Sequence, residues 1–353
     1  MIEKIRKKID NLDKGILDLL NERIKLAIEV GRIKSKNNET IFAPVREKEV
    51  ISNLTKKNTG PLPNEYLSDI FHEILNVSRT IQKKIRVSHF GPEASFTHLA
   101  SIKMFGKHVD FIPGESIKDV FIEVEKGRTD YGVVPIENST EGIINHTLDM
   151  FIDSDLKITS ELFLEISHYL LSRETSLQKI TKVYSHPQPI AQTRNWLERN
   201  LRFAKIVEVA STPEAARLAK IEKNSAAIAS IVASEIYGLN ILARNIEDNK
   251  NNYTRFLVIS KRSPSSSGND KTSVMFSVKD RIGALHDMLV PFKKYKLNLT
   301  KIESRPTKRK AWEYIFFVDF VGHIDSANVK KALSELEKGC TMLKILGSYP
   351  VGE

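Results

Sequence analysis

The sequence predicts a multidomain chain: an all-α helical segment over residues 1–84, an α/β segment of two lobes over 85–261, and a small α+β unit over 271–350. Three observations carry that division. Apolar residues near the start recur at alternating steps of four and three, the period of a helix. The middle alternates short apolar strands with helix starts, as a sheet covered by helices requires. A run rich in serine and glycine, Arg262 to Asp270, reads as a flexible linker before the final unit.

The helical segment rests on Ile5, Ile9, Leu12, Ile16, Leu19, Leu26, Val30 and Ile33, a helix of roughly 45 Å at ~1.5 Å per residue. The same count puts Arg23 on the apolar seam, where a cation is costly unless an anion pairs with it. Lys34 follows at nearly the same helical angle. Pro44 and the breaker Gly60-Pro61-Leu62-Pro63 open two more helices. The third has its seam at Leu67, Phe71, Ile74, Ser78, Ile81 and Ile85, interrupted by Ser78, with Gln82 one turn beyond. Such polar breaks in a thin three-helix unit argue for a polar pocket. A single long helix cannot cover its own apolar stripe, so dimerisation is expected.

In the middle segment, Ile85–Phe90 runs into Gly91-Pro92-Glu93-Ala94-Ser95-Phe96-Thr97-His98, and Tyr131–Val134 into Pro135-Ile136-Glu137-Asn138-Ser139. Val183-Tyr184 leads to Ser185-His186-Pro187-Gln188, and Ala226–Ala229 to a helix from Ser230. A crossover near Glu161 to His168 and a return near Asn245 make two lobes, with polar loops at the strand ends where ligands bind. The run Asn251-Asn252-Tyr253-Thr254-Arg255-Phe256 suits either a small carboxylated ligand or a satisfied turn before an edge strand. The final unit reads as strand Thr272–Val278, helix Gly283–Lys294, strands Leu297–Ser304 and Glu313–Phe320, helix Ser326–Glu337 and strand Met342–Leu346. That βαββαβ order is the ferredoxin-like arrangement.

Several function classes are disfavoured. The net charge of +10 is scattered, and its densest cluster, Lys308-Arg309-Lys310, looks like a hairpin tip. No basic stripe interleaves with aromatics, so an anionic small molecule is favoured over nucleic acid. No segment approaches a membrane span, the charged N-terminus lacks a signal-peptide pattern, and the single Cys340 excludes an internal disulfide, so the cytoplasm is expected. Phosphate cradles and Gly-x-Ser-x-Gly elbows are absent. His89, His98, His146 and His186 lack metal-ligand spacing and are expected on the surface or at helix caps.

Leu20–Ala27 with Val30–Lys34, Pro44-Val45-Arg46-Glu47, Ser78 and Gln82 resemble the all-helical chorismate mutase family. The resemblance implies an intertwined dimer in which Arg23, Arg46 and Arg6 of the other copy bind the carboxylates of chorismate. Lys34 and Gln82 would meet the ether oxygen, Glu47 the hydroxyl, and Ser78 would sit close by. Ala43 stands where many relatives carry an acidic residue. The four strand-end motifs of the middle segment are similar to prephenate dehydratase, which implies a two-lobed fold of the periplasmic-binding-protein type with prephenate in its cleft. Thr254 is then the key catalytic residue; Ser95, Thr97, Glu137, Asn138, Ser139, Ser185, His186, Gln188, Arg255 and Phe256 line the site. Arg255 would anchor a carboxylate, and Glu137 or His186 would supply the proton. Ala94 stands where relatives usually have glycine, and Thr193 where many have cysteine. Gly283-Ala284-Leu285-His286 and Glu303-Ser304-Arg305-Pro306 resemble the phenylalanine-binding ACT domain, implying feedback inhibition by phenylalanine trapped between two such domains. Together they predict a homodimeric or homotetrameric enzyme needing no cofactor or metal. The alternatives are a dehydratase whose helical segment serves only dimerisation, and a phenylalanine-sensing regulatory protein.

Overall fold

The computed structural model describes residues 1–37, 42–279, 281–306 and 314–352. The Lys308-Arg309-Lys310 cluster and Glu313 lie outside the described residues. Two units emerge, one of Met1–Ile85 with Phe105–Asp110, the other of Arg86–Met104 with the chain from Phe111 onward. Seven residues of the segment expected from residue 85 onward, Ile85 and Phe105–Asp110, therefore cluster with the helices.

The first unit contains α1 (Ile2–Lys36), α2 (Pro44–Lys57) and α3 (Asn64–Gln82). Helix α1 meets α3 at Gly31, where a Cβ would stand 2.8 Å from Gln82 Cγ and 3.4 Å from its Cα. Only hydrogen fits in that gap. The apolar stripe of α1 is uncovered within this chain: Ile5, Ile9, Leu12, Ile16, Leu19, Leu26, Val30 and Ile33 are each 48–67% exposed. Among the described residues no helix is long and apolar enough to cross a membrane.

The second unit starts with β1 (Arg86–Phe90), α4 (Phe96–Phe105), β2 (Asp110–Gly114), α5 (Ile117–Glu125), β3 (Tyr131–Asn138), β4 (Gly142–Ile143), α6 (Asn145–Asp153) and β5 (Lys157–Glu165). Its second lobe runs through β6 (Tyr169–Ser172), β7 (Lys182–Ser185), α7 (Pro187–Gln192), α8 (Arg194–Asn200), β8 (Lys205–Glu208), α9 (Thr212–Ile221), β9 (Ser225–Ala229), α10 (Ile231–Tyr237) and β10 (Asn240–Ala243). The chain then returns to the first lobe as β11 (Tyr253–Ser260). The sheets are ordered β2-β1-β3-β11-β5, with β4 beside β3, and β10-β6-β9-β7-β8. Strands β3 and β9 are almost wholly buried, which is why they read as continuous apolar runs rather than alternating ones.

The final portion is β12 (Asp270–Ser277), α11 (Ala284–Lys294), β13 (Leu299–Pro306), β14 (Tyr314–Val321), α12 (Ala327–Gly339) and β15 (Met342–Pro350), in sheet order β13-β14-β12-β15. Val274, Phe276 and Phe320 pack with Met288 and Phe292 of α11 and Leu336 of α12. Met275, Phe317, Leu346 and Tyr349 share a core with Phe121, Phe151, Ile158 and Leu257 of the first lobe. Alternate side chains of β12 thus serve opposite cores. Gly347 passes so close to β5 that a Cβ would lie 2.3 Å from the Ile158 carbonyl oxygen.

Three expectations change here. The linker ends in an ordered turn in which the Ser266 and Ser267 hydroxyls donate to the Asp270 carboxylate at 2.7 and 2.6 Å. The motif Glu303–Pro306 lies inside β13 rather than after it, because pairing with β14 continues to Pro306↔Tyr314. His89 and His98 are not on the surface but form a buried stack with ring centres 4.7 Å apart.

Candidate functional sites

Strand pairing decides which side chains of Asn251–Phe256 can act together. Thr254 lies opposite Asn138 and Arg255 opposite Glu137. Successive residues point to opposite faces of a sheet, so these two pairs part company. Asn138 Oδ1 accepts from the backbone N–H groups of Thr140 at 2.9 Å and Glu141 at 3.0 Å, which fixes the orientation of its amide. Its Nδ2 must therefore donate, to Thr254 Oγ1 and to Asn252 Oδ1, both at 2.8 Å. Asn252 Nδ2 and His168 Nε2 both reach Gln192 Oε1, at 3.3 and 2.7 Å. That polarity makes Nε2 the protonated nitrogen of His168, whose ring burial keeps neutral by lowering its pKa. Thr254 accepts one hydrogen bond, and no acceptor among the described residues takes its own proton.

This chain of hydrogen bonds joins the first lobe (Asn138, Thr254), the return segment (Asn252), α7 of the second lobe (Gln192) and the crossover (His168). Gln192, His168 and the part played by Asn252 escaped sequence reading. Asn252 was visible within the polar run, but nothing local marks the other two. The remaining expected residues divide by what they touch. Ser139 Oγ accepts from the Tyr253 N–H at 2.9 Å and donates to the Asn251 carbonyl, clipping the two strand ends together. Ser95 Oγ accepts from the His98 N–H at the start of α4, where Thr97 is buried. Ala94 occupies the left-handed region with φ +68° and receives a 2.7 Å hydrogen bond from Ser230 of the second lobe. His186 Nδ1 accepts from the Gln188 N–H, capping α7.

Other expected site residues face elsewhere. Arg255 is not a carboxylate anchor in the cleft: it is 6% exposed and lies behind the strand, bonded to Glu161 at 2.7 Å and Asp319 at 2.8 Å. Tyr349 OH accepts from it at 3.1 Å, and Lys271 reaches Glu161 at 2.8 Å. Burial opposes the charge of Arg255, but Tyr349, Asp319 and Glu161 outweigh it and raise its pKa. Glu137 is not a free acid, because Lys301 of β13 holds it at 2.7 Å. The Ser185 hydroxyl is fully buried and donates to the Ile228 carbonyl at 2.9 Å, and Phe256 is a core residue at 2% exposure.

In the helical unit, Arg23 Nη1 donates to Ser78 Oγ at 2.5 Å, joining the seam of α1 to the polar break in α3. Burial lowers the pKa of Arg23. Burial raises that of Glu47, against the opposing charges of Arg79, His72 and Lys34. Gln82 lies against Gly31. Arg46 is exposed and paired with Glu49 at 3.2 Å, while Arg6 is exposed on α1. Arg79, which the sequence reading passed over, is buried beside Ser78 and lies 3.3 Å from Glu47.

In the last portion, Gly283 caps α11 with φ +75°, the left-handed conformation that glycine adopts at least cost. Ala284 borders a cavity of about 210 Å³ lined also by Lys279, Arg281, Lys338 and Thr341. His286 is exposed, 3.3 Å from Asp287, and Leu285 packs on the domain core. On β13, Glu303 and Ser304 lie opposite Phe317 and Phe316. Arg305 is bonded to Asp149 of α6 at 3.0 Å.

Residues 5–83 match the family model for chorismate mutase type II, residues 87–264 that for prephenate dehydratase, and residues 272–338 that for the ACT domain. The chain is 49% identical over 353 residues to the bifunctional chorismate mutase/prephenate dehydratase of Aquifex aeolicus (strain VF5), covering 99% of this chain and 98% of that one. It is 42% identical to the enzyme of the same description from Stutzerimonas stutzeri, covering 99% and 97%. The structure of a prephenate dehydratase in complex with L-Phe from Arthrobacter aurescens superposes with a TM-score of 0.70 at 32% identity, covering 76% of this chain and 90% of that one.

Proposed function

The chain belongs to the family of bifunctional chorismate mutase/prephenate dehydratases, and we propose how its residues divide the two reactions. It is a chorismate mutase and a prephenate dehydratase with an ACT domain.

The mutase step forms no bond to the protein. It needs a compact conformer of chorismate and donors aimed at the ether oxygen, which gains negative charge. Arg23, steadied by Ser78, binds a carboxylate, helped by Arg46 and by Arg6 of a second copy. Lys34 and Gln82 meet the ether oxygen, and Glu47 accepts from the substrate hydroxyl. The exposed stripe of α1 supports assembly into at least a homodimer, since so long an apolar face is stable in water only when covered.

In the dehydratase step the ring C–O bond of prephenate breaks, the ring carboxylate leaves as carbon dioxide, and its electron pair completes the aromatic ring. The departing hydroxide takes up one proton to become water. The observation that carries the assignment is the fixed orientation of Asn138: it makes Thr254 Oγ1 an acceptor on one side, so the threonine's own proton is available to the leaving hydroxyl. A threonine is too weak an acid to give up that proton fully at neutral pH. His186, whose Nδ1 accepts from the Gln188 N–H and is therefore unprotonated, offers its Nε2–H to the leaving hydroxyl as a second hydrogen-bond donor, and the proton that completes the water comes from solvent. The amides at the start of α4 receive a substrate carboxylate in place of Arg255.

Phenylalanine is the effector, bound between paired ACT domains at Gly283–His286 and Glu303–Pro306, and the enzyme works in the cytoplasm. The Lys301–Glu137 ion pair supports a route to the cleft, because it ties β13 to the residue next to Asn138. A coupled assay from chorismate, with and without phenylalanine, tests the whole reading. The wild type is expected to form phenylpyruvate and to slow as phenylalanine rises. Thr254→Val should stop at prephenate, and Thr254→Ser should recover part of the second step. Near-normal phenylpyruvate formation by Thr254→Val would refute the assignment.

A further inference from the structure

Arg79 is a buried cation, 3% exposed, in a helix whose other buried residue is Ser78. Its guanidinium carbon lies 4.9 Å from the ring centre of Phe42 and 5.6 Å from that of Phe105. Nη2 donates to Asn76 Oδ1, and Nη1 lies 3.3 Å from Glu47 Oε1. A flat, delocalised cation suits a slot between two rings better than a lysine ammonium does. Burying it is costly unless an anion accompanies it, and Glu47 is that anion.

We propose that Arg79 is a positioning residue for the mutase reaction: it holds the Glu47 carboxylate in place for the substrate hydroxyl, while Phe42 and Phe105 hold Arg79. The proposal rests on the role given to Glu47 above. Glu47 is faced by Lys34 from α1 and by His72 and Arg79 from α3, whereas Arg46 on its own helix turns to Glu49. Of these, Arg79, at 3.3 Å, acts most strongly against burial, which on balance still raises the pKa of Glu47.

The second clamp comes from outside the helices in sequence. Phe105 falls within the stretch matching prephenate dehydratase, yet it folds with the helical unit and is fully buried there. The next residue, Gly106, has φ +83°, and a Cβ on it would come within 2.7 Å of Asn76, the residue that also receives Arg79. The mutase site of this chain is therefore completed by a segment that a cut after the helices would remove.

The test is the pH dependence of mutase kcat/KM in the full-length chain, with dehydratase activity as the internal check of folding. In Arg79→Met, and in the milder Arg79→Gln, the acidic limb should move up by about one pH unit or more, the scale expected on losing a nearby opposite charge. Arg79→Lys should return the limb towards the wild-type position while leaving kcat reduced. Phe105→Ala should shift it in the same direction as Arg79→Gln. A uniform loss of rate with an unmoved limb in Arg79→Gln would mean that Arg79 serves packing alone, and would overturn the proposal. Glu47→Gln separates the two ideas: if it keeps full mutase activity, the role of Glu47 fails as well. If it loses activity while Arg79→Gln leaves the limb in place, only the role of Arg79 fails.

Discussion

Arg255 offers the sharpest test of the dehydratase domain, because a sequence motif and the folded chain give it different work. Its side chain and that of Glu161 are 7% and 0% exposed, and Lys271 and Asp319 are 10% and 11% exposed. Two cations and two carboxylates balance, and the Gly352 N–H adds a further donor to Glu161 at 3.0 Å. Arg255→Met removes one cation and leaves Asp319 with the Ser273 hydroxyl at 2.6 Å as its close donor. Stranding a buried carboxylate in this way costs about 3–5 kcal/mol. At roughly 2–4 °C per kcal/mol for domains of a few hundred residues, the unfolding midpoint should fall by about 6–20 °C. Adding Asp319→Asn removes the stranded charge, so the double variant should be more stable than the sum of the two single losses implies. Calorimetry of the full chain, with prephenate kinetics alongside, measures both effects. An unchanged midpoint together with a large rise in KM for prephenate would refute this account and return Arg255 to the cleft.

Two further outcomes are expected. Burial, assisted by His98, lowers the pKa of His89 to about 4, against about 6.5 in an unfolded chain. Between these values the unfolded state binds the extra proton, so this contribution is complete above pH ~6.5 and lost as pH falls towards 4, at most roughly 3 kcal/mol. Denaturant midpoints across that range should fall less steeply in His89→Phe, and an identical slope would sink the idea. Leu12→Glu combined with Ile16→Glu should give a monomer by light scattering that loses mutase activity and keeps dehydratase activity; a double variant that remains dimeric would contradict the role assigned to the α1 stripe.

Much of this molecule is local and was therefore legible in the sequence. The helical period of α1, the apolar runs of β3 and β9, the βαββαβ order and the polar breaks Arg23 and Ser78 follow from spacing or short runs of side chains, whereas Thr254 and Asn138 were marked by the family resemblance of their motifs. Tertiary structure alone decided which face each residue serves. The sequence shows that Thr254 and Arg255 alternate, but the pairing of β11 with β3, 116 residues away, sets Thr254 against Asn138 and sends Arg255 and Glu137 to the sheet behind. The same holds for Gln192 and His168, drawn together across the crossover, and for Arg79, enclosed by a phenylalanine from beyond its own segment. A one-dimensional pattern records whether a side chain will be buried; its partner is set by hydrogen-bond register and close packing between distant stretches, which no local window contains.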